Sequence, residues 1–579
     1  MTEIQNTFTT QDGVELFYRY RPARSGATDK AIILFHRGHE HSARMMFVAD
    51  ELGLDDFSYF AWDARGHGHS PGARGDSPSL ATSVSDIQSF VDHIQTQYQI
   101  NIENIAVIAQ SVGAVLVSTW LHDYAPKVRC AVLASPAFKV KLYVPFARSG
   151  LKLMQKLRGN FFVKSYVKAH YLTHDSTRIE SYNNDPLIAR AISVRILLGL
   201  YDAADRVVAD AAAITTPIQM LISGDDWVVH HEPQHRFFNH LGSRIKERHV
   251  FDGFYHDTLG EQNRAIALSE VKRFIRERFD EPVNTIDCTQ ADIYGATRIE
   301  SDELATPLSV WTPRGAYWAM QKASIHVGAK WSTGLKLGQE TGFDSGSTLD
   351  YVYQNSPEGT NGLSKMIDKY YLQAIGWRGI RQRKVHLQQL IQDAMTRLRA
   401  NNQPIHVLDI AAGHGRYILD ALTSADLPDS IQLRDYSEHN VQAGSALIAE
   451  RGLSNIASFS QADAFDRQNY ADLKPAPTLG IVSGLHELFP NNHTVMQSLL
   501  GLGDSIESGH YLIYTGQPWH PQLEMIARCL TSHRQGQAWV MRRRTQQEMD
   551  QLIEKAGFKK IKQLIDEDGI FTVSLAIKV

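Results

Sequence analysis

Ser111 stands in Ala109-Gln110-Ser111-Val112-Gly113, a run whose outer residues are small. An apolar stretch, IAVIA, leads into it, and another of helical length follows. A turn this tight needs small flanks and lifts the serine hydroxyl clear of the backbone. A carboxylate and an imidazole come later in the order that a strand-turn-helix nucleophile requires: Asp226 after IQMLISG (218–224), then His256 after residues 249–253. Serine attacks poorly until a base removes its proton, and a carboxylate must hold that base in the right tautomer. Asp226 is expected to be this carboxylate because it stands three residues before Val229; Asp225 is read as a turn residue.

A second set lies far along the chain. Residues 405–415, IHVLDIAAGHG, run from an apolar strand through Asp409 into a loop of small residues, Ala411, Gly413 and Gly415, before a helix. Glycines let a backbone approach a ligand closely, and a helix N-terminus favours negative charge. A dinucleotide-binding fold begins in a similar way, but the glycine spacing here is not GxGxxG and the acid precedes the loop.

The elements that must position these residues are legible. The short buried runs AIILF, SYFAWD and IAVIA, separated by helical segments, predict a parallel α/β sheet with chemistry at the strands' carboxyl ends. Near the C-terminus, Thr545 to Glu548 reads as a capping box. The stripe Met549, Leu552, Ile553, Ala556 and the hairpin-like KKIKQLI-DEDG-IFTVSLAIKV follow. Residues 281–341 show no sustained period and read as a connector.

Composition allows two domains. The 579 residues exceed the ~100–200 of one domain. A net charge of -4 gives no general attraction to nucleic acid, and no nucleic-acid module surrounds the basic and aromatic residues 370–384. Three scattered cysteines without a CxxC, and no signal-like N-terminus, point to a cytoplasmic protein. No metal is expected, and the oligomeric state is open. Between Lys139 and Leu172 lie eight Lys or Arg and no acid, interleaved with Leu142, Tyr143, Phe146, Leu151, Leu153, Met154, Leu157, Phe161 and Phe162. Such a segment suits an anionic bilayer surface, which would make the protein peripheral at the inner face of the membrane; the alternative is a solvated basic face.

Residues 10–278 resemble the monoacylglycerol lipase/lysophospholipase group of α/β-hydrolases, on HRGHEHSAR (36–44), DARGHGHSPG (63–72), AQSVGA and SGDDWVV. The resemblance implies an α/β-hydrolase domain over 1–280, a helical lid over about 137–200 and a lipid or lipid-like ester as substrate. It also implies oxyanion donors in the backbone N–H groups of Gly38 and Val112. Arg37 and Ala109 stand where this group usually has glycine. Residues 342–579 resemble class I S-adenosylmethionine-dependent methyltransferases, whose motif D-x-G-x-G-x-G here carries Ala411 in place of its first glycine. That likeness implies a helical lead-in (342–402) and a Rossmann-like core (403–579). It places Asp435 on the ribose hydroxyls and Asp463 at the adenine edge, with Asp409, Ala411, Gly413 and Gly415 around the donor. His486 and Glu487, in LGIVSGLHELF, are the candidates for a base beside the methyl. The whole arrangement resembles bacterial bifunctional α/β-hydrolase/class I methyltransferase fusions. Two alternatives remain: an active hydrolase with a donor-sensing second domain, and a peripheral scaffold docking through the basic lid.

Overall fold

The computed structural model describes residues 3–141, 146–165, 167–283, 285–359, 361–423, 426–471, 473–534 and 536–579. The chain divides into two units, Met1–Ile286 and Asp287–Val579.

In the first unit, eight strands form one sheet. They are β1 (Ile4–Thr9), β2 (Glu15–Arg21), β3 (Ala31–Phe35), β4 (Ser58–Trp62), β5 (Ile105–Gln110), β6 (Cys130–Ala134), β9 (Ile218–Ser223) and β10 (Lys246–Phe251), while β7 (Phe162–Lys164) and β8 (Ala191–Ser193) form a separate antiparallel pair. The order is β1-β2-β4-β3-β5-β6-β9-β10, parallel from β4 through β10 and antiparallel at β1 and β2. Every residue of β3, β4, β5, β6 and β9 is buried, as continuous apolar runs covered on both faces must be. This is the α/β-hydrolase fold, and Ser111 follows the central strand β5 directly.

The lid region carries helices Ala147–Arg158 and Ser176–Asn184, the β7–β8 pair and the start of helix Val194–Ala209. Leu142 and Tyr143, two of the apolar residues expected there, lie outside the described residues. Among the described residues no helix is long and apolar enough to cross a membrane.

The second unit has strands β11 (His406–Ile410), β12 (Ser430–Asp435), β13 (Ala457–Gln461), β14 (Leu479–Val482), β15 (Tyr511–Gly516), β16 (Phe558–Ile565) and β17 (Thr572–Lys578) in the order β13-β12-β11-β14-β15-β17-β16. The first five are parallel; β17 runs antiparallel to both β15 and β16. A closing antiparallel hairpin on a parallel sheet is the Rossmann-like methyltransferase arrangement. Its helix Gln546–Lys555 begins where the Thr545 hydroxyl accepts the Glu548 N–H at 3.2 Å.

The segment expected as a connector is folded. Helices Ala291–Tyr294, Ala296–Ala305, Pro313–Gly328 and Thr333–Thr341 belong to the second unit. Trp318, Ile325, Leu335 and Leu337 pack on a core containing Phe343, Tyr351 and Trp377. These helices are mostly exposed, so their apolar residues build no long stripe in sequence. Their N-caps were the available signal: Thr312 before Pro313, and Ser332, each accept the backbone N–H of the third helical residue.

Candidate functional sites

Ser111 is held at φ +56°, ψ -114°, a conformation costly for any residue but glycine. Its N–H donates to the Ala134 carbonyl at 2.9 Å. Gly113 makes the turn possible, since a Cβ there would lie 2.4 Å from the His36 carbonyl oxygen. Loops after β9 and β10 bring the partners in. Ser111 Oγ lies 2.7 Å from His256 Nε2, and His256 Nδ1 lies 2.7 Å from Asp226 Oδ2. All three are buried. The other Asp226 oxygen accepts the N–H groups of Val228 (2.7 Å) and Val229 (3.0 Å). Burial opposes ionisation of Asp226, but the facing imidazole and these N–H groups outweigh it and lower its pKa. Asp225 points to solvent. An imidazole so placed can take the hydroxyl proton while Asp226 steadies the charge.

Gly38 lies against Val112: a Cβ on Gly38 would come within 2.9 Å of the Val112 Cγ2. The two backbone N–H groups expected to bind an oxyanion therefore belong to adjoining residues. Arg37 does not fill this space. Its buried guanidinium binds Glu40 through Nε (2.7 Å) and Nη2 (2.8 Å) and reaches Asp257 at 3.3 Å. Asp257 also accepts from Gln110 Nε2 (3.0 Å) and from Arg178 Nε (3.1 Å) and Nη2 (3.0 Å) of the lid. Burial works against the Asp257 charge, yet Arg178 and Arg37 hold its pKa below the usual range. Sequence reasoning missed Glu40, Asp257 and Arg178, although Asp257 follows His256 directly.

In the second unit, a cavity of about 920 Å³ opens at the carboxyl ends of the strands, lined by Ala411, Gly413, Gly415, Asp435 and Asp463 among others. Ala411 (φ +57°), Gly413 (φ +59°) and Gly415 (φ +70°) turn the loop left-handed; on Gly415 a Cβ would lie 2.5 Å from Leu433. Asp435 Oδ2 accepts the Gly413 N–H at 2.9 Å, and Oδ1 accepts from Ser437 N–H (2.9 Å) and Asn440 Nδ2 (3.0 Å). Three of its roughly four acceptor positions are thus engaged. Asp463 is exposed, with Oδ1 accepting the Phe465 N–H at 2.9 Å. The cavity wall also holds buried polar atoms without a partner among the described residues, Ser483 Oγ and His414 Nε2. A glycine cradle, two carboxylates and unmet polar groups fit a nucleoside-bearing sulfonium.

Two expectations are corrected. Asp409 does not line this cavity: it is wholly buried beneath the loop, where Tyr417 O–H donates to Oδ2 at 2.5 Å. Burial, with Asp435 nearby, pushes its carboxyl well above the usual range despite that bond. His486 also turns inward, its Nε2 2.9 Å from Ser498 Oγ, and burial lowers its pKa to about 3. A neutral, enclosed imidazole is a packing residue. Glu487, its neighbour, does line a second cavity of about 490 Å³. That space shares Asp344, Leu349, Arg383, Gly484 and Leu488 with the first and is otherwise mainly apolar and aromatic. Gln517, His520 and Trp539, which line it, were not anticipated; the first two share the loop after β15, Trp539 comes from a later loop, and they carry no motif.

Glu247, His249 and Glu270 bring ligand atoms within 4.8 Å of one another, but Arg273 already binds Glu247 (2.7 Å) and Glu270 (3.0 Å).

The fold and these sites define a serine-hydrolase-type unit joined to a methyltransferase-type unit. The chain belongs to the family described as "Putative methyltransferase", whose model matches residues 271–578. The model "Serine aminopeptidase, S33" matches residues 26–263. The chain is 55% identical over 575 residues to "Uncharacterized protein YnbC" of Escherichia coli K12, covering 99% of this chain and 98% of that one. It is 25% identical over 281 residues to a monoacylglycerol lipase of Mycolicibacterium smegmatis, covering 47% of this chain and 97% of the relative. Mouse monoglyceride lipase is 28% identical over 251 residues, covering 42% and 80%. A crystal structure of a soluble variant of monoglyceride lipase from Saccharomyces cerevisiae aligns with a TM-score of 0.44 at 15% identity, covering 49% and 97%.

Proposed function

We propose that the first unit hydrolyses a carboxylic ester of a lipid or lipid-like molecule and that the second transfers a methyl group from S-adenosylmethionine. The observation that carries the first half is the unbroken chain of two 2.7 Å hydrogen bonds from Ser111 through His256 to Asp226. Ser111 Oγ attacks the ester carbonyl as His256 accepts its proton, and the Gly38 and Val112 N–H groups receive the developing oxyanion. His256 then gives the proton to the leaving alcohol, and water releases the acyl group by the reverse path.

For the second half, Ala411, Gly413 and Gly415 would bring the backbone against the donor, with Asp435 and Asp463 on the nucleoside. The donor supplies an activated methyl on sulfur. The residues around it align the acceptor and exclude water.

The lid favours a lipid. Helix Ala147–Arg158 has no buried residue, and Leu153 and Leu157 are exposed beside Lys156 and Arg158. Such a face suits peripheral contact with an anionic membrane, consistent with a cytoplasmic protein at its inner surface. Not all of its charge is free: Arg148 pairs with Asp202 and Asp205 at 2.6 Å, and Lys152 with Asp202 at 3.1 Å.

The test is purified protein with methyl-labelled S-adenosylmethionine and a bacterial lipid extract, beside Ser111→Ala and Asp435→Ala. Labelled product lost in Asp435→Ala, with ester cleavage lost in Ser111→Ala, is the expected result. Donor binding without turnover on any acceptor would favour a sensing domain instead.

A further inference from the structure

The 490 Å³ cavity of the second unit has buried polar groups that its own walls do not satisfy. Among the lining side chains that are nine-tenths or more buried, Glu487 Oε2, Gln517 Nε2, Trp539 Nε1 and Arg383 Nε have no hydrogen-bond partner among the described residues. The other Glu487 oxygen is 3.4 Å from the Thr515 hydroxyl. Buried polar groups are rarely left unmet, so their pattern describes the ligand this cavity suits.

The pattern asks for a hydroxyl. A hydroxyl both donates, as Glu487 requires, and accepts, as Gln517 and Trp539 require. An ammonium offers only donors and leaves Gln517 and Trp539 unmet. A carboxylate offers only acceptors and sets its charge against Glu487. The remaining walls are apolar and aromatic, with Trp377, Trp539 and Phe571 among them, so the body of the occupant is apolar and ring-bearing. A phenol, with a pKa near 10, yields its proton to a carboxylate far more readily than an aliphatic alcohol does. Arg383, on the boundary shared with the donor cavity, supplies the positive charge that favours a developing phenolate.

We propose that this cavity binds a lipophilic phenol and that Glu487 accepts the phenolic proton as the oxygen is methylated; this rests on the donor-site reading above. The phenol oxygen forms the new bond to carbon, the carbon–sulfur bond of the methyl sulfonium donor breaks with its electron pair left on sulfur, and the proton goes to Glu487 Oε2 and then to solvent. The products are an aryl methyl ether and a neutral thioether.

Isothermal titration of the intact protein with 4-hexylphenol, hexylbenzene and decanoate tests the cavity without any methyl donor. The phenol should bind at least about tenfold more tightly than either comparator, and Gln517→Leu and Trp539→Phe should each weaken it about fivefold. With labelled S-adenosylmethionine, Glu487→Gln should lower kcat for methylation of the phenol about 100-fold or more, with binding of S-adenosylhomocysteine and the melting temperature retained. Tighter decanoate binding that the two cavity variants weaken, or phenol affinity indifferent to both variants, would overturn the assignment. S-adenosylhomocysteine binding without phenol binding overturns this inference alone. Failure to bind S-adenosylhomocysteine instead overturns the donor reading and the proton transfer with it, while the phenol titrations still decide what the cavity holds.

Discussion

The guanidinium of Arg37 meets the carboxylate of Asp257 at 3.3 Å in the interior of the first unit, one residue beyond the histidine that faces Ser111. Through Glu40, Gln110 and Arg178 the same pair ties together the loop bearing Gly38, the residue before Ser111 and a lid helix. Removing one partner of a buried ion pair leaves the other uncompensated. Arg37→Met should therefore cost about 3–5 kcal/mol of stability and lower ester hydrolysis as the loop relaxes. Denaturant melts of the isolated first unit's signal, together with kcat on a 4-nitrophenyl ester, measure both effects.

Ser111→Ala should reduce kcat/KM for ester hydrolysis about 10⁴-fold or more, because the nucleophile itself is lost. Ser111→Gly should do the same while raising the melting temperature, since glycine accepts φ +56° without strain. A serine whose replacement leaves hydrolysis intact would refute the triad.

Asp409 gives a pH dependence of defined sign. Its folded pKa is raised, so the fold binds this proton more tightly than the unfolded chain. The resulting stabilisation is complete below the unfolded value near 3.9 and is lost as pH rises towards the folded pKa, by about 1.4 kcal/mol per pH unit. Asn carries no such proton and still accepts from Tyr417. Asp409→Asn should gain stability relative to the native chain between pH 5 and pH 7, which unfolding curves at the two pH values would show. A constant difference would mean that Asp409 titrates normally.

Asp435 fastens the glycine loop to the next strand through the Gly413 N–H, while Ser437 and Asn440 hold its other oxygen. Asp435→Ala should weaken S-adenosylhomocysteine binding at least tenfold, as both the proposed ribose contact and the loop's shape would be lost. Asp409→Asn, beneath the loop, should weaken it much less. Calorimetric titration of the two variants separates contact from support.

Replacing Leu153 and Leu157 with Asp should abolish co-sedimentation with anionic vesicles while leaving hydrolysis of a short soluble ester within about twofold, because neither side chain packs on the domain. Undiminished vesicle binding would place the contact elsewhere.

The sequence by itself determined the two folds and most of the first site. Buried parallel strands must be apolar throughout, so β3, β4 and β5 announced the sheet. The tight turn at Ser111 restricts its neighbours to small residues, and the order of Asp226 and His256 follows from the chain's path through the strands. The closing hairpin was readable because its capping box, stripe and turn are local. What only the tertiary structure decided depends on where side chains point and what comes to meet them. Asp409 and His486 fit their motifs equally well, yet one props the loop from below and the other faces the core. Arg37 stands where the resembled group usually has glycine, and only the fold shows that Glu40 and Asp257 hold its side chain. The acid-free run of the lid meets Asp202 and Asp205 from another helix. The second cavity gathers Arg383, Glu487, Gln517 and Trp539 from segments that share no spacing, because distance through a folded core bears no relation to distance along the chain.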